Sequence, residues 1–138
     1  MSGNDLGQIA YLMRRAGFGA SREELEEYAS KGYEAVVEDL VHPERFPEPD
    51  DDLVDRYYGQ EYPAVFLGRW FYRMINGKRP LVEKMALFWH HLLATGYAKT
   101  EHYTSSTEQI ELFRRVALTD VRTVLTEVSK DPAMIYWL

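Results

Sequence analysis

The chain has 138 residues, of which 46% are hydrophobic and 28% are charged. A globular chain of this length buries roughly 68–70% of its extended surface, so a folded domain is expected and a disordered chain is excluded. The formal net charge of -6 argues against a dedicated nucleic-acid binder, which would need a basic surface. The absence of cysteine excludes disulfides and thiolate metal sites.

The first 43 residues predict three helices. Apolar side chains at steps of three and four mark the first, and Gly17 is placed to end it. Ser21 and Glu24 form a Ser-x-x-Glu capping box at the start of the second, which stops near Gly32. The third begins near Tyr33, and its predicted buried residues are Val36, Val37, Leu40 and Val41.

An acidic, proline-rich loop is predicted at about residues 43–52. It contains three prolines and the run Asp50-Asp51-Asp52. Prolines disfavour continuous helix, and carboxylates stabilise the N-terminus of a helix that follows them. The loop therefore separates the first three helices from the rest of the chain.

A helix is predicted from about Pro63 to Ile75, ended by Asn76-Gly77. Its apolar face would hold Phe66, Leu67, Trp70, Phe71 and Met74, with Arg69 and Arg73 at the edge.

Pro80 is typical of a helix start, and we expect the helix Pro80–Thr95 to lie at the centre of the fold. The apolar residues cover a wide arc of this helix, which indicates burial by several neighbours. They are Leu81, Val82, Met85, Phe88, Trp89, Leu92 and Leu93. Gly96 would end the helix, and residues 97–104 would form a connector.

The last third of the chain predicts two complete helices and the start of another. The first begins near Ser106 and would bury Ile110, Phe113, Val116 and Ala117. The second would bury Val121, Val124, Leu125 and Val128. Pro132 opens a final helix, but the chain stops on Ile135-Tyr136-Trp137-Leu138, an apolar ending that indicates truncation.

The spacing thus predicts an all-α, irregular multi-helix bundle of about seven or eight helices. We expect residues 1–138 to be the N-terminal helical part of a single larger domain. No apolar run approaches the roughly 20 residues of a membrane span. A secretory signal is not seen either, so the cytoplasm is the default prediction.

Three stretches together resemble one family. They are YLMRRAGFGA at residues 11–20, PLVEKMALFWH at residues 80–90 and DPAM at residues 131–134. In this order and spacing they are similar to the opening of the bacterial domain-of-unknown-function 1800 family. The resemblance implies a longer protein and no established activity. Many members resemble exported proteins, which conflicts with a cytoplasmic location.

The same resemblance shows two departures. Family members often carry His where this chain has Tyr11, and a second His where it has Leu92. If those histidines serve a site, this chain has lost it.

His90 and Glu83 are the first candidates for chemistry. Both lie at the border of the apolar arc of their helix, where an imidazole and a carboxylate could act as acid and base or bind a metal. Seven residues separate them by roughly 10 Å along the axis, so they cannot bond directly. A structural histidine is the alternative, and with no His-Glu-x-x-His motif we expect no metal site.

Two further groups have competing interpretations. Arg15, in the run Arg14-Arg15-Ala16-Gly17-Phe18-Gly19, could help to bind an anion, or the run could be a helix C-cap followed by a tight turn. Tyr57, Tyr58 and Trp70 could bind a partner, or they could belong to the core. Arg114 and Arg115 near Glu111 predict surface helix pairs.

Two functions follow from these patterns, and the cofactor is unknown in both. The first is a binding or scaffolding helical module that docks another protein or its own missing C-terminal portion. The second is the N-terminal part of an enzyme, with His90, Glu83 and Arg15 lining a site that the missing portion completes.

Overall fold

The computed structural model describes residues 3–57 and 63–138, and every regular element in these ranges is helical. This confirms the all-α prediction. The first five α-helices are α1 (Gly3–Ala16), α2 (Arg22–Lys31), α3 (Tyr33–Val41), α4 (Asp52–Tyr57) and α5 (Pro63–Asn76). The other five are α6 (Pro80–Leu92), α7 (Tyr97–Thr100), α8 (Tyr103–Arg115), α9 (Val121–Val128) and α10 (Pro132–Trp137). The described residues also include a 3₁₀ turn at Pro43–Arg45.

Side-chain caps define several helix starts. The predicted capping box is present at α2, because Ser21 accepts from the backbone N–H of Glu24 and the Glu24 carboxylate accepts from the N–H of Ser21. Asp120 and Asp131 cap α9 and α10 in the same way, each accepting a backbone N–H three residues on. These caps satisfy donors that a helix N-terminus leaves without an intrahelical partner.

Two apolar clusters form the core, and α6 contributes to both. The first cluster combines α5, α6, α8 and α9, and its buried members are Trp70, Ala86, Ile110, Leu112, Phe113, Val116, Val124 and Val128. The second combines α1 and α3 through Ile9, Met13, Val36 and Leu40. Leu81 of α6 packs against the second cluster, whereas Trp89 packs against the first. The prediction that this helix is central is therefore correct.

The number of helices exceeds the prediction. The described residues contain ten α-helices rather than seven or eight, because α4 and α7 have only six and four residues. Helices that short show no readable apolar period. The central helix also ends at Leu92 rather than Thr95. Thr95 lies beyond it and donates from Oγ1 to Gln109 Oε1 of α8 at 2.6 Å.

Several residues predicted to be buried lie on the surface. Leu67 and Phe71 of α5, Phe88 and Leu92 of α6, and Val121 and Leu125 of α9 are all exposed. The apolar arcs are wider than the faces that neighbouring helices cover in this chain. Helical spacing identifies apolar stripes, but it does not show which of them another element covers.

None of the described helices has the length and hydropathy that crossing a membrane would require.

Candidate functional site

A network of ion pairs, most of them partly buried, lies between α5, α6, α8 and the acidic loop. Arg114 of α8 donates from Nε to Glu83 of α6 at 2.8 Å and from Nη1 to Glu111 at 2.7 Å. Its Nη2 donates to Glu48 of the loop at 3.0 Å. Arg114 was predicted to make a surface pair, which is wrong, because its side chain is only 10% exposed.

Two further arginines extend the network into the loop. Arg73 of α5 donates to Asp51, with Nε 2.9 Å from Oδ1, and also to Glu111. The spacing predicted that Arg73 lies at the edge of the apolar face of α5, but the residue is buried. Arg79 donates from Nε to the Phe46 carbonyl at 3.0 Å and pairs with Glu48. These groups border a groove of about 650 Å³.

The network holds its two central glutamates in different ways. Burial raises the pKa of Glu83, against the opposing charge of Arg114, and its Oε2 is buried without a hydrogen-bond partner. Burial acts in the same direction on Glu111, but hydrogen bonds and charges from Arg73 and Arg114 outweigh it and hold the pKa below its usual value. The Glu111 carboxylate therefore stays charged, whereas Glu83 binds a proton more readily.

His90 lines a different cavity. This space of about 190 Å³ is bordered by α5, α6, α8 and the segment after α6. The imidazole makes edge contacts with the rings of Trp70 and Phe113, at centroid distances of 5.5 and 5.9 Å. Its Nδ1 is buried and has no hydrogen-bond partner, and the same is true of Trp70 Nε1. Burial lowers the pKa of His90, with a smaller contribution from His91, so the ring is neutral at pH 7.

The three predicted catalytic residues are therefore not in contact. Glu83 pairs with Arg114, His90 lines the separate cavity, and Arg15 is exposed in the last turn of α1. Within the described residues, no hydrogen bond or ion pair joins any two of them.

The glycines after Arg15 have a structural explanation. The N–H of Gly19 donates to the Met13 carbonyl at 3.2 Å. Gly19 itself has a φ of 96°, a left-handed conformation that is typical of a helix C-cap. A Cβ on Gly17 would lie 3.0 Å from Pro80 Cβ, so the glycine lets the end of α1 pack against the start of α6. At α2, the Glu24 carboxylate occupies the cap where an anion would bind.

The predicted partner-binding aromatic residues are placed differently from one another. Trp70 is 6% exposed and belongs to the first core cluster, because α6 and α8 cover its face of α5. It is not a surface contact. Tyr57 ends α4, but its side chain lies outside the described residues, as does the whole of Tyr58.

A buried hydrogen bond between α8 and the start of α10 was not predicted from the sequence. Gln109 is 1% exposed, accepts from Thr95 and donates from Nε2 to Asp131 Oδ2 at 2.8 Å. Asp131 also accepts the backbone N–H of Met134 at 2.8 Å. The Asp-Pro start of α10 signalled the cap, but a lone glutamine in a helix gives no sign that it reaches two other elements.

Comparison with known proteins gives one family. The family described as Protein of unknown function (DUF1800) matches residues 11–138. No curated protein and no solved structure matches the chain. Since the match covers nearly the whole sequence, the chain belongs to the DUF1800 family, whose function is unknown.

Proposed function

We propose that this chain is a helical docking module, and that α5 binds an amphipathic helix of another polypeptide. The proposal rests on one apolar stripe along α5. Leu67, Phe71 and Ile75 follow one another at four-residue steps and are 46%, 61% and 78% exposed. Residues four apart lie on one side of a helix, so the three side chains form a continuous surface. Exposed apolar stripes of this kind are typical of helix-in-groove recognition.

Gly68 supports a helix as the partner. It lies in the interior of α5, where glycine costs roughly 0.5–1 kcal/mol relative to alanine. A Cβ at this position would meet no described atom within 4 Å, so packing among the described residues does not require glycine. A small residue beside Leu67 and Phe71 allows another backbone to approach closely. Binding of a partner helix would explain both the stripe and the glycine.

Site-specific photocrosslinking tests the proposal. A photoreactive phenylalanine analogue replaces Phe71, cells producing the protein are irradiated, and the crosslinked peptide is sequenced. We expect one peptide whose apolar residues recur at steps of three and four. Gly68→Trp should abolish the crosslink by blocking close approach.

Matched variants make the result specific. Gly7 of α1 is also an exposed helix glycine with no atom near its Cβ position, so Gly7→Trp should leave the crosslink intact. Gly68→Ala should raise the free energy of unfolding of the chain by about 0.5–1 kcal/mol. A crosslink that survives Gly68→Trp, or that joins two copies of this same stripe, would contradict the proposal.

Catalysis by His90, Glu83 and Arg15 remains a prediction. The geometry favours it less than docking, because Glu83 already binds Arg114 and Arg15 is exposed on α1. If the protein has an activity, the enzyme hypothesis expects His90→Ala to remove it, while His91→Ala, on the exposed side of α6, should leave it unchanged.

A further inference from the structure

We infer that the cavity beside His90 is a binding site for a small uncharged ring that carries a hydroxyl oxygen. The six lining residues that define its chemistry are Trp70, His90, Thr95, Tyr97, Ser106 and Gln109. The docking proposed above does not use this space, and of these six residues the enzyme hypothesis uses only His90. The inference does not depend on docking at α5, although Leu67 borders both surfaces.

Two buried nitrogen atoms, Trp70 Nε1 and His90 Nδ1, have no hydrogen-bond partner among the described residues. Trp70 Nε1 can only donate a hydrogen bond, and the residue is more than nine-tenths buried. His90 Nδ1 can donate or accept, depending on the tautomer. Leaving such an atom unsatisfied costs about 1–3 kcal/mol, so buried polar atoms in native proteins are nearly always bonded. The edge contact between the two rings is a weak substitute for either bond.

The other polar groups at the cavity are held in place. Thr95 Oγ1 donates to Gln109 Oε1, and Gln109 Nε2 donates to Asp131. One N–H of the Gln109 amide remains after these bonds. Ser106 Oγ donates to the His102 carbonyl at 3.1 Å. A rigid arrangement of neutral groups of this kind fixes the orientation of a bound molecule.

Charge and size define the class of ligand. None of the described residues that line the cavity is Asp, Glu, Lys or Arg, and the imidazole is neutral. A carboxylate or phosphate would lose its hydration without gaining a counter-charge. The volume of about 190 Å³ compares with the roughly 150 Å³ of an engineered cavity that binds benzene. An uncharged single ring that carries a hydroxyl group therefore fits the size and the charge of the cavity.

Nuclear magnetic resonance of the tryptophan indoles tests this inference on the 138-residue chain. The chain has three tryptophans, and Trp70→Phe assigns the Trp70 indole signal. Phenol and glucose are titrated separately, because an aromatic alcohol and a sugar share the proposed chemistry. Benzoate serves as the charged ring of similar size. Trp89 is an internal control, since its Nε1 already donates to the Ala117 carbonyl at 3.2 Å.

We expect phenol or glucose to shift the Trp70 indole signal saturably at about 1 mM or below, with the Trp89 signal unmoved. Benzoate should bind at least tenfold more weakly. Binding of phenol would identify the ligand class as an aromatic alcohol, and binding of glucose would identify it as a sugar. If neither neutral probe shifts Trp70, or if benzoate does so equally well, the inference is wrong.

Two neighbouring histidines supply matched variants. His90→Phe keeps a ring of similar size but removes Nδ1, so binding should weaken at least tenfold. His91→Phe changes an exposed residue on the same helix and should leave binding unchanged. The Trp89 signal reports whether each variant is folded. Equal binding by the His90→Phe variant would show that the imidazole takes no part.

Discussion

Arg114 binds three carboxylates from different parts of the chain, and it is the residue whose loss should matter most. Glu83 lies on α6, Glu111 lies one turn earlier on α8, and Glu48 lies in the acidic loop. Glu83 is 1% exposed and forms its ion pair with Arg114, although the charge of Arg73 also acts on it. Removing one member of a buried pair leaves the other charge without compensation.

We therefore expect Arg114→Ala to lower the free energy of unfolding by about 3–5 kcal/mol in urea denaturation. Arg115→Ala is the matched control, because Arg115 is the next residue along α8 but is exposed, and its effect should stay within about 0.5 kcal/mol. Similar losses in both variants would show that the buried network adds nothing to stability.

Glu83 and Glu111 should give opposite dependences of stability on pH. The pKa of Glu83 is raised by burial, so the stability it contributes is complete below the ordinary value of 4.5 and is lost as pH rises through the folded pKa. The pKa of Glu111 is held below 4.5 by Arg73 and Arg114, so its contribution is complete above 4.5 and is lost as pH falls through the folded pKa.

Urea denaturation from about pH 3 to about pH 7 measures this difference. The stability of the unaltered chain relative to Glu83→Gln should increase as the pH falls. The stability of the unaltered chain relative to Glu111→Gln should decrease as the pH falls. Slopes of the same sign for the two variants would contradict the opposite roles given to these residues.

At the scale of helices, two aspartate caps that look alike in sequence have different surroundings. Asp120 caps α9 at the surface and accepts from the backbone N–H and from Oγ1 of Thr123. Asp131 caps α10 but is 2% exposed, and it also accepts from the buried Gln109. Asp131 therefore joins α10 to α8, whereas Asp120 affects only its own helix.

Replacing each cap by alanine should reveal this difference. Asp120→Ala should lower the free energy of unfolding by about 1 kcal/mol, which is the usual effect of losing an N-cap. Asp131→Ala should cost about 2–4 kcal/mol, because it also leaves the Gln109 amide buried without its partner. Thermal unfolding followed by circular dichroism measures both. Equal costs would mean that the Gln109 bond contributes nothing to stability.

These helices also show how far sequence reasoning reaches. The starts at Ser21, Pro80 and Pro132 were predictable because caps and prolines act on their own few residues. The exposed stripe on α5 was not, because exposure depends on which neighbours cover a face. The cavity near His90 could not be predicted at all, since Trp70 and Gln109 come from other helices and share no local pattern with it.

On the scale of the whole molecule, α6 connects the two apolar clusters. All three tryptophans lie at residue 70 or later, whereas the second cluster lies in α1 and α3. Trp70 and Trp89 lie in or against the first cluster and Trp137 lies in α10, so tryptophan fluorescence reports that part of the chain. Far-ultraviolet circular dichroism reports all the helices. Because α6 packs against both clusters, we expect them to unfold together.

The Ile9→Ala variant tests whether the two clusters unfold cooperatively. Ile9 is 1% exposed in the second cluster, so its truncation should cost about 2–5 kcal/mol. The fluorescence and dichroism midpoints should shift by the same amount, although no tryptophan belongs to that cluster. A dichroism change that precedes the fluorescence change would show that α1–α3 unfold separately.

The pairing of Glu83 with Arg114 also affects the order of events on the ribosome. Glu83 is synthesised 31 residues before Arg114, which takes roughly 2–6 s at about 5–20 residues per second. During that interval α1 and α3 can already associate through their apolar side chains. The buried face of α6 includes a carboxylate whose counter-charge has not yet been made, so we expect α6 to take its final position only after α8 has been translated.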